Sequence, residues 1–232
     1  MRSSPLRPCT IMIAGARAFS IVVACVASGG VECSAQQPDT SAATMAKVKP
    51  IFEIAKKARS EKDSPTEFDA YLKMYELCRL PQFRNLAIST CYRSLDLPRA
   101  DRGEPQSQSV TSMAERCPKP TDTKDVEGAL EHLQFSIIQY ALLRQLNANR
   151  GVDVAAQLLA KAEVHLEIAE RLAPAMVPRK QLDRFKTDLA TARSNIVHNK
   201  GVKAYDTILS GAKKSLQSGS DTPSDIPAES TK

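Results

Sequence analysis

The chain has 232 residues with 32 basic and 26 acidic side chains, a net charge of +6 at pH 7, no Trp, five Tyr and six Phe. Setting aside Arg2, Arg7, Arg17 and Glu32 of the first 35 residues leaves 29 basic against 25 acidic, or +4. So mild an excess, with few rings on which bases could stack, gives nucleic acid no footprint as a partner.

Residues 1–35 read as a signal peptide. Three Arg and no acid precede Glu32, and the apolar run Ala18–Ala27 is too short for a bilayer, which takes about 20 apolar residues. Small residues at Cys33, Ser34 and Ala35 place the mature start near Gln36, so the expected location is periplasmic or secreted. An alternative is a lipoprotein anchored through Cys25, since Val22-Val23-Ala24-Cys25 resembles a lipobox; an organelle transit peptide is a third reading. Residues 36–43, rich in Gln, Ser, Thr and Ala, form a linker.

Helical periodicity then begins. Val48, Ile51, Phe52, Ala55 and Ala58 recur at steps of three and four, predicting a helix over about 43–59. Asp63-Ser64-Pro65-Thr66 stops one helix and starts another, with Ser64 expected as N-cap and Pro65 at the first helical position. Phe68, Tyr71, Leu72, Tyr75 and Cys78 make the stripe of the second helix, ended by Pro81, and a third reaches about Leu95 before Pro98. Residues 96–122 are polar and proline-punctuated, predicting a long loop with a short helical turn over 110–116.

The stretch 126–149 is the most apolar beyond the leader and carries apolar side chains round most of its circumference, which predicts a buried central helix capped by Asp122 or Thr123. Val154, Leu158, Leu159, Ala162, Leu166, Ala169 and Leu172 predict the next, over about 152–173. Leu182, Phe185, Leu189, Ala192 and Ile196 form a narrow seam of helix-packing type. After Asn199-Lys200-Gly201 the stripe Val202, Tyr205, Leu209, Ala212 and Leu216 continues as a last helix or a kinked extension. The tail 218–232 is predicted disordered. With no alternating strand pattern, the expected class is all-α: a single helical domain over 44–217 of six to seven helices, an irregular bundle or stacked hairpins.

Ala162, Leu166, Ala169 and Pro174 stand at the small, bulky, small and terminal-proline spacing of the second helix of a tetratricopeptide repeat, which that helix resembles. The resemblance covers about one helix and implies tetratricopeptide-like packing of helix hairpins. The helix before it departs from the family pattern, with Asn149, Arg150 and Gly151 where apolar and small packing residues belong.

Candidate chemistry is sparse. His132, His165 and His198 are spaced by 33 residues, but the helix breaks do not follow that period, so no repeat is inferred and each is read as a surface or boundary histidine. None carries the HExxH or ExxH spacing of a metal site, and no GxSxG, phosphate loop or dinucleotide fingerprint occurs; neither a catalytic residue nor a cofactor is expected. Of the cysteines beyond the leader, Cys78 and Cys91 would be offset in an antiparallel hairpin, which makes Cys117 the expected disulfide partner of Cys78 or of Cys91; the alternative is that Cys78 and Cys91 are buried free thiols. Basic residues concentrate near the C-terminus: Arg179, Lys180, Arg184, Lys186, Arg193, Lys200 and Lys203 form a ridge suited to an acidic protein, an anionic membrane surface or an envelope polymer, or else an ordinary solvated face. The function expected is that of an exported, non-enzymatic, protein-binding scaffold; the alternative is a lipid-anchored or peripheral membrane factor working through these basic helices.

Overall fold

A computed structural model describes residues 38–97, 106–120, 126–146, 151–173 and 179–217. Over them the fold is all-α and bundle-like, with eight helices and no strand among the described residues: α1 (Ala42–Glu61), α2 (Ser64–Cys78), α3 (Pro81–Ser94), α4 (Gln108–Glu115), α5 (Val126–Gln145), α6 (Val152–Leu172), α7 (Arg179–Lys200) and α8 (Val202–Gln217). The leader, residues 36 and 37, the C-terminal tail and the Asp122 or Thr123 cap lie outside the described residues; the rest of the expected linker is held in place, the Asp39 amide donating to the Cys78 carbonyl at 2.9 Å and Ala42 and Ala43 already beginning α1.

The helix starts follow capping chemistry. Ser41 caps α1, its hydroxyl accepting from the Thr44 amide. At α2 the cap is Asp63, one residue before the expected Ser64: its carboxylate accepts from the Thr66 amide at 3.2 Å. A carboxylate there also meets the positive end of the helix dipole, and the shift leaves Pro65 in the first turn, where its missing N–H is not needed. The last break is real: Gly201 sits at φ +86°, a left-handed backbone that favours glycine, so α7 and α8 are two helices and not one kinked extension.

The 96–122 stretch contains more structure than a turn. Ser107 caps α4, and Met113 and Ala114 are buried against α2, α3 and α5. Gln106 is buried and clasps the Asp96 backbone with both ends of its amide, accepting from the amide nitrogen at 2.8 Å and donating to the carbonyl at 2.9 Å. A side chain that replaces a missing ladder partner in this way closes a polar loop at low cost.

Two apolar clusters make the core. The first joins α1 to α5 around Phe68, Tyr71, Met74, Ile88, Met113 and Ile138. The second joins α6, α7 and α8 around Leu159, Leu166, Leu182, Leu189, Ile196 and Tyr205. Helix α5 belongs to both: Phe135, Ile138 and Leu142 face the first, Leu133 and Tyr140 pack on the second and Leu143 touches both, while Leu158 of α6 reaches back into the first. This is why the pattern of 126–149 is apolar nearly all round.

Candidate functional site, a buried polar seam on the central helix

Within its apolar circumference α5 carries Glu131, His132, Gln134, Ser136 and Gln139, all buried. Groups of this kind cost several kcal/mol in an apolar interior unless hydrogen-bonded, so their partners define what the seam does. Glu131 Oε2 accepts from Arg84 of α3 at 3.1 Å, and both side chains are almost wholly removed from water. The Arg84 guanidinium also lies over the Tyr75 ring of α2, 5.9 Å from its centre, and donates to Asn85. One ion pair thus ties α3 to α5 with α2 as its lid. Ser136 donates to the Ala162 carbonyl of α6 at 2.7 Å.

The other face of the seam is a histidine pair. His132 Nδ1 and His165 Nδ1 stand 2.8 Å apart, the rings stack with centres 4.9 Å apart, and Phe135 closes over His165 at 4.6 Å. Both are buried, at 0% and 3% exposure, so the surface or boundary position expected for them is corrected; His198 alone is exposed. The signal was present in the spacing. His132 lies fourteen residues before the end of the described α5 segment at 146, and His165 fourteen after 151, so an antiparallel hairpin brings them level. Their 33-residue interval is hairpin register, not a repeat. Burial above all, then the His132 ring, Lys161 and Lys119, hold the His165 imidazole well below its ordinary pKa. Lys161 is itself lowered by burial and by Lys119.

The three described cysteines are buried free thiols. Cys78 Sγ donates to the Met74 carbonyl at 3.0 Å and Cys117 Sγ to the Pro118 carbonyl at 3.9 Å, with the Cys91 thiol as the neighbour that acts on Cys117. Of the two partners expected for Cys117, the fold therefore brings up Cys91 and not Cys78. Burial, and then the neighbouring Cys91, push the Cys117 thiol well above its usual pKa, away from the thiolate that attacks disulfides or binds metals.

The basic ridge turns largely inward. Lys186 pairs with Glu170, Arg193 with Glu163 at 3.9 Å and Asp206 at 3.5 Å, Lys200 with Asp153, and Lys213 with Glu167 at 2.8 Å. The segregation of charge along the sequence is thus the complementarity of α7 and α8 for the acidic face of α6. Arg184 and Lys203 are exposed, and the side chains of Arg179 and Lys180 lie outside the described residues. Between α6 and α7 an open groove of about 220 Å³ has Glu163, Glu167 and Glu170 on one wall and Lys186 and Arg193 on the other. Tyr205 donates to Glu163 at 2.9 Å and lies under the Arg193 guanidinium. Burial raises the Glu163 pKa, opposed by the Tyr205 hydrogen bond and by Arg193 and Lys213.

Among the described residues no three His, Cys, Asp or Glu side chains gather as a metal set, and no helix is long and apolar enough to cross a membrane. Comparison with family models, curated proteins and solved structures gives no match. The tetratricopeptide resemblance therefore rests on the packing positions themselves: Ala162, Leu166 and Ala169 are buried, and Pro174 lies outside the described residues.

Proposed function

We propose that the chain is an exported, non-enzymatic helical protein that binds another protein through its outer helix surfaces, as an accessory or scaffold component of the envelope or secreted space. The observation that carries this reading is where the reactive side chains go. Arg84 with Glu131, His132 with His165, and Tyr205 with Glu163 each join one helix to another, so the groups able to do acid–base chemistry serve packing. Export rests on the Arg-containing, apolar pattern of residues 1–35.

Two surfaces remain for a partner. Helix α1 packs on α2 and leaves Met45 and Ile54 outward, Ile54 at 52% exposure. The second surface is basic and includes Arg184 and Lys203. We favour the α1 face for a protein partner, because an outward isoleucine contributes apolar contact area while much of the ridge is already neutralised. The test is crosslinking in the native envelope with two variants of the full chain, Ile54→Glu, which puts a charge on the apolar face, and the double charge reversal Arg184→Glu with Lys203→Glu. Loss of one reproducible crosslinked protein with Ile54→Glu alone supports the α1 face, and loss with the double change alone moves the site to the basic surface. A pattern unaffected by either overturns the binding role. The mature N-terminus separates the soluble form, which starts near Gln36, from a diacylated Cys25.

In an oxidising compartment the same reading makes Cys91–Cys117 a staple between α3 and the end of α4. The two thiols would lose two protons and two electrons to a disulfide of the thiol-exchange class, which leaves as its dithiol. Closing a loop of this length stabilises a fold by about 3 kcal/mol. Intact mass of chain recovered from its native compartment would be lower by two hydrogens, and an unchanged mass rejects the staple.

A further inference from the structure

We propose that the His132–His165 contact is an acid-sensitive latch: it holds α6 against α5 while both rings are neutral and loosens that pairing when the buried His165 ring takes up a proton. The geometry supplies the mechanism. Two Nδ1 atoms 2.8 Å apart share a single proton, so one ring donates through Nδ1–H and the other accepts with a bare Nδ1. A proton added to the accepting nitrogen leaves two N–H groups facing each other, and one added at the Nε2 of the donating ring keeps the Nδ1 contact but creates an imidazolium beneath Phe135, cut off from water.

The charged groups that act on His165 oppose such a cation. Lys161 projects from α6 and Lys119 from the segment after α4, both of the same sign as the imidazolium. The carboxylate next along α5, Glu131, is held by Arg84 of α3. The latch also stands where it matters, on the faces by which α5 joins the second apolar cluster to the first. Stacked, hydrogen-bonded and buried, the pair stabilises the hairpin when neutral and opposes it when charged.

The direction with pH follows from linkage. The unfolded chain binds a proton at His165 near pH 6.5, whereas the folded chain binds it only at lower pH, so stability is fully present above about 6.5 and is lost as pH falls toward the folded value. The folding equilibrium constant is expected to fall by up to about tenfold per pH unit in that window. Urea unfolding of the full chain at pH 7.5 and 5.5 measures this. His165→Gln should flatten the dependence, and His198→Gln, at an exposed site, should retain it. If His165→Gln does not fold, imidazole proton resonances of the unaltered chain decide: one ring that stays neutral through pH 6 supports the latch. Equal stability at the two pH values, an unchanged slope in His165→Gln, or two buried rings that titrate near 6.5 with the fold intact would overturn it.

Discussion

Arg84 and Glu131 show how a buried charge behaves when its main compensation is another charge. Taking both out of water is expensive, and their mutual attraction approximately repays it, so the pair adds specificity more than net stability. Removing one partner is different, because the survivor stays buried and uncompensated. Arg84→Met or Glu131→Leu alone is expected to cost roughly 3–5 kcal/mol in urea unfolding, and the double change less than either single one. A double variant as damaged as the sum of the singles would contradict this account. Tyr205→Phe tests a milder case. Loss of its hydrogen bond to Glu163 should cost about 1 kcal/mol, and, because that bond lowers the Glu163 pKa, the carboxyl should titrate still higher in the variant. The signs at the two titrating sites are opposite. A carboxyl with a raised folded pKa favours the fold as pH falls through that value, whereas His165 disfavours it; carbon-detected titration of Glu163 separates the two.

At the scale of elements, the stripes of α2, α6 and α7 were legible because the residues that repeat at three and four are the residues that are buried. Leu182, Leu189 and Ile196 are buried as their spacing predicts, with Phe185 and Ala192 partly so. The partners of the polar residues were not legible. Nothing local distinguishes Glu131, which meets Arg84 forty-seven residues away, from an exposed glutamate, and the ridge from Arg184 to Lys203 shows an excess of charge without showing that Glu163, Glu170 and Asp153 receive much of it. Helix α4 was seen only as a turn, since eight residues give barely two turns of periodicity and its burial depends on three neighbours. The histidine register was readable once α5 and α6 were taken as an antiparallel hairpin. Within α5, Ile138→Ala removes a fully buried side chain and is expected to destabilise by about 2–5 kcal/mol, measured by the same unfolding.

Across the whole molecule the two apolar clusters meet through α5, while their centres share no side chain. Met74 lies deep in the first and Leu189 in the second. Met74→Ala and Leu189→Ala should therefore add within about 0.5 kcal/mol when combined. A larger departure would mean that the clusters are mechanically coupled through the central helix and not merely joined by it. The ion pairs linking α6 with α7 and α8 are each more than two-fifths exposed on at least one partner, so each is worth about 0–1 kcal/mol, and raising the salt concentration should erode them only slightly.

Because α5 serves two clusters, synthesis order matters. A chain emerging as far as residue 146 holds α1 to α5 of the first cluster but still lacks Leu158, and it leaves Leu133 and Tyr140 without the second cluster they pack on until α6 to α8 arrive. The nascent protein thus passes through an interval in which its most apolar segment has one wetted side, a surface for a chaperone or a stray second copy to occupy. Residues 152–217, once made, are the chain's own cover for it.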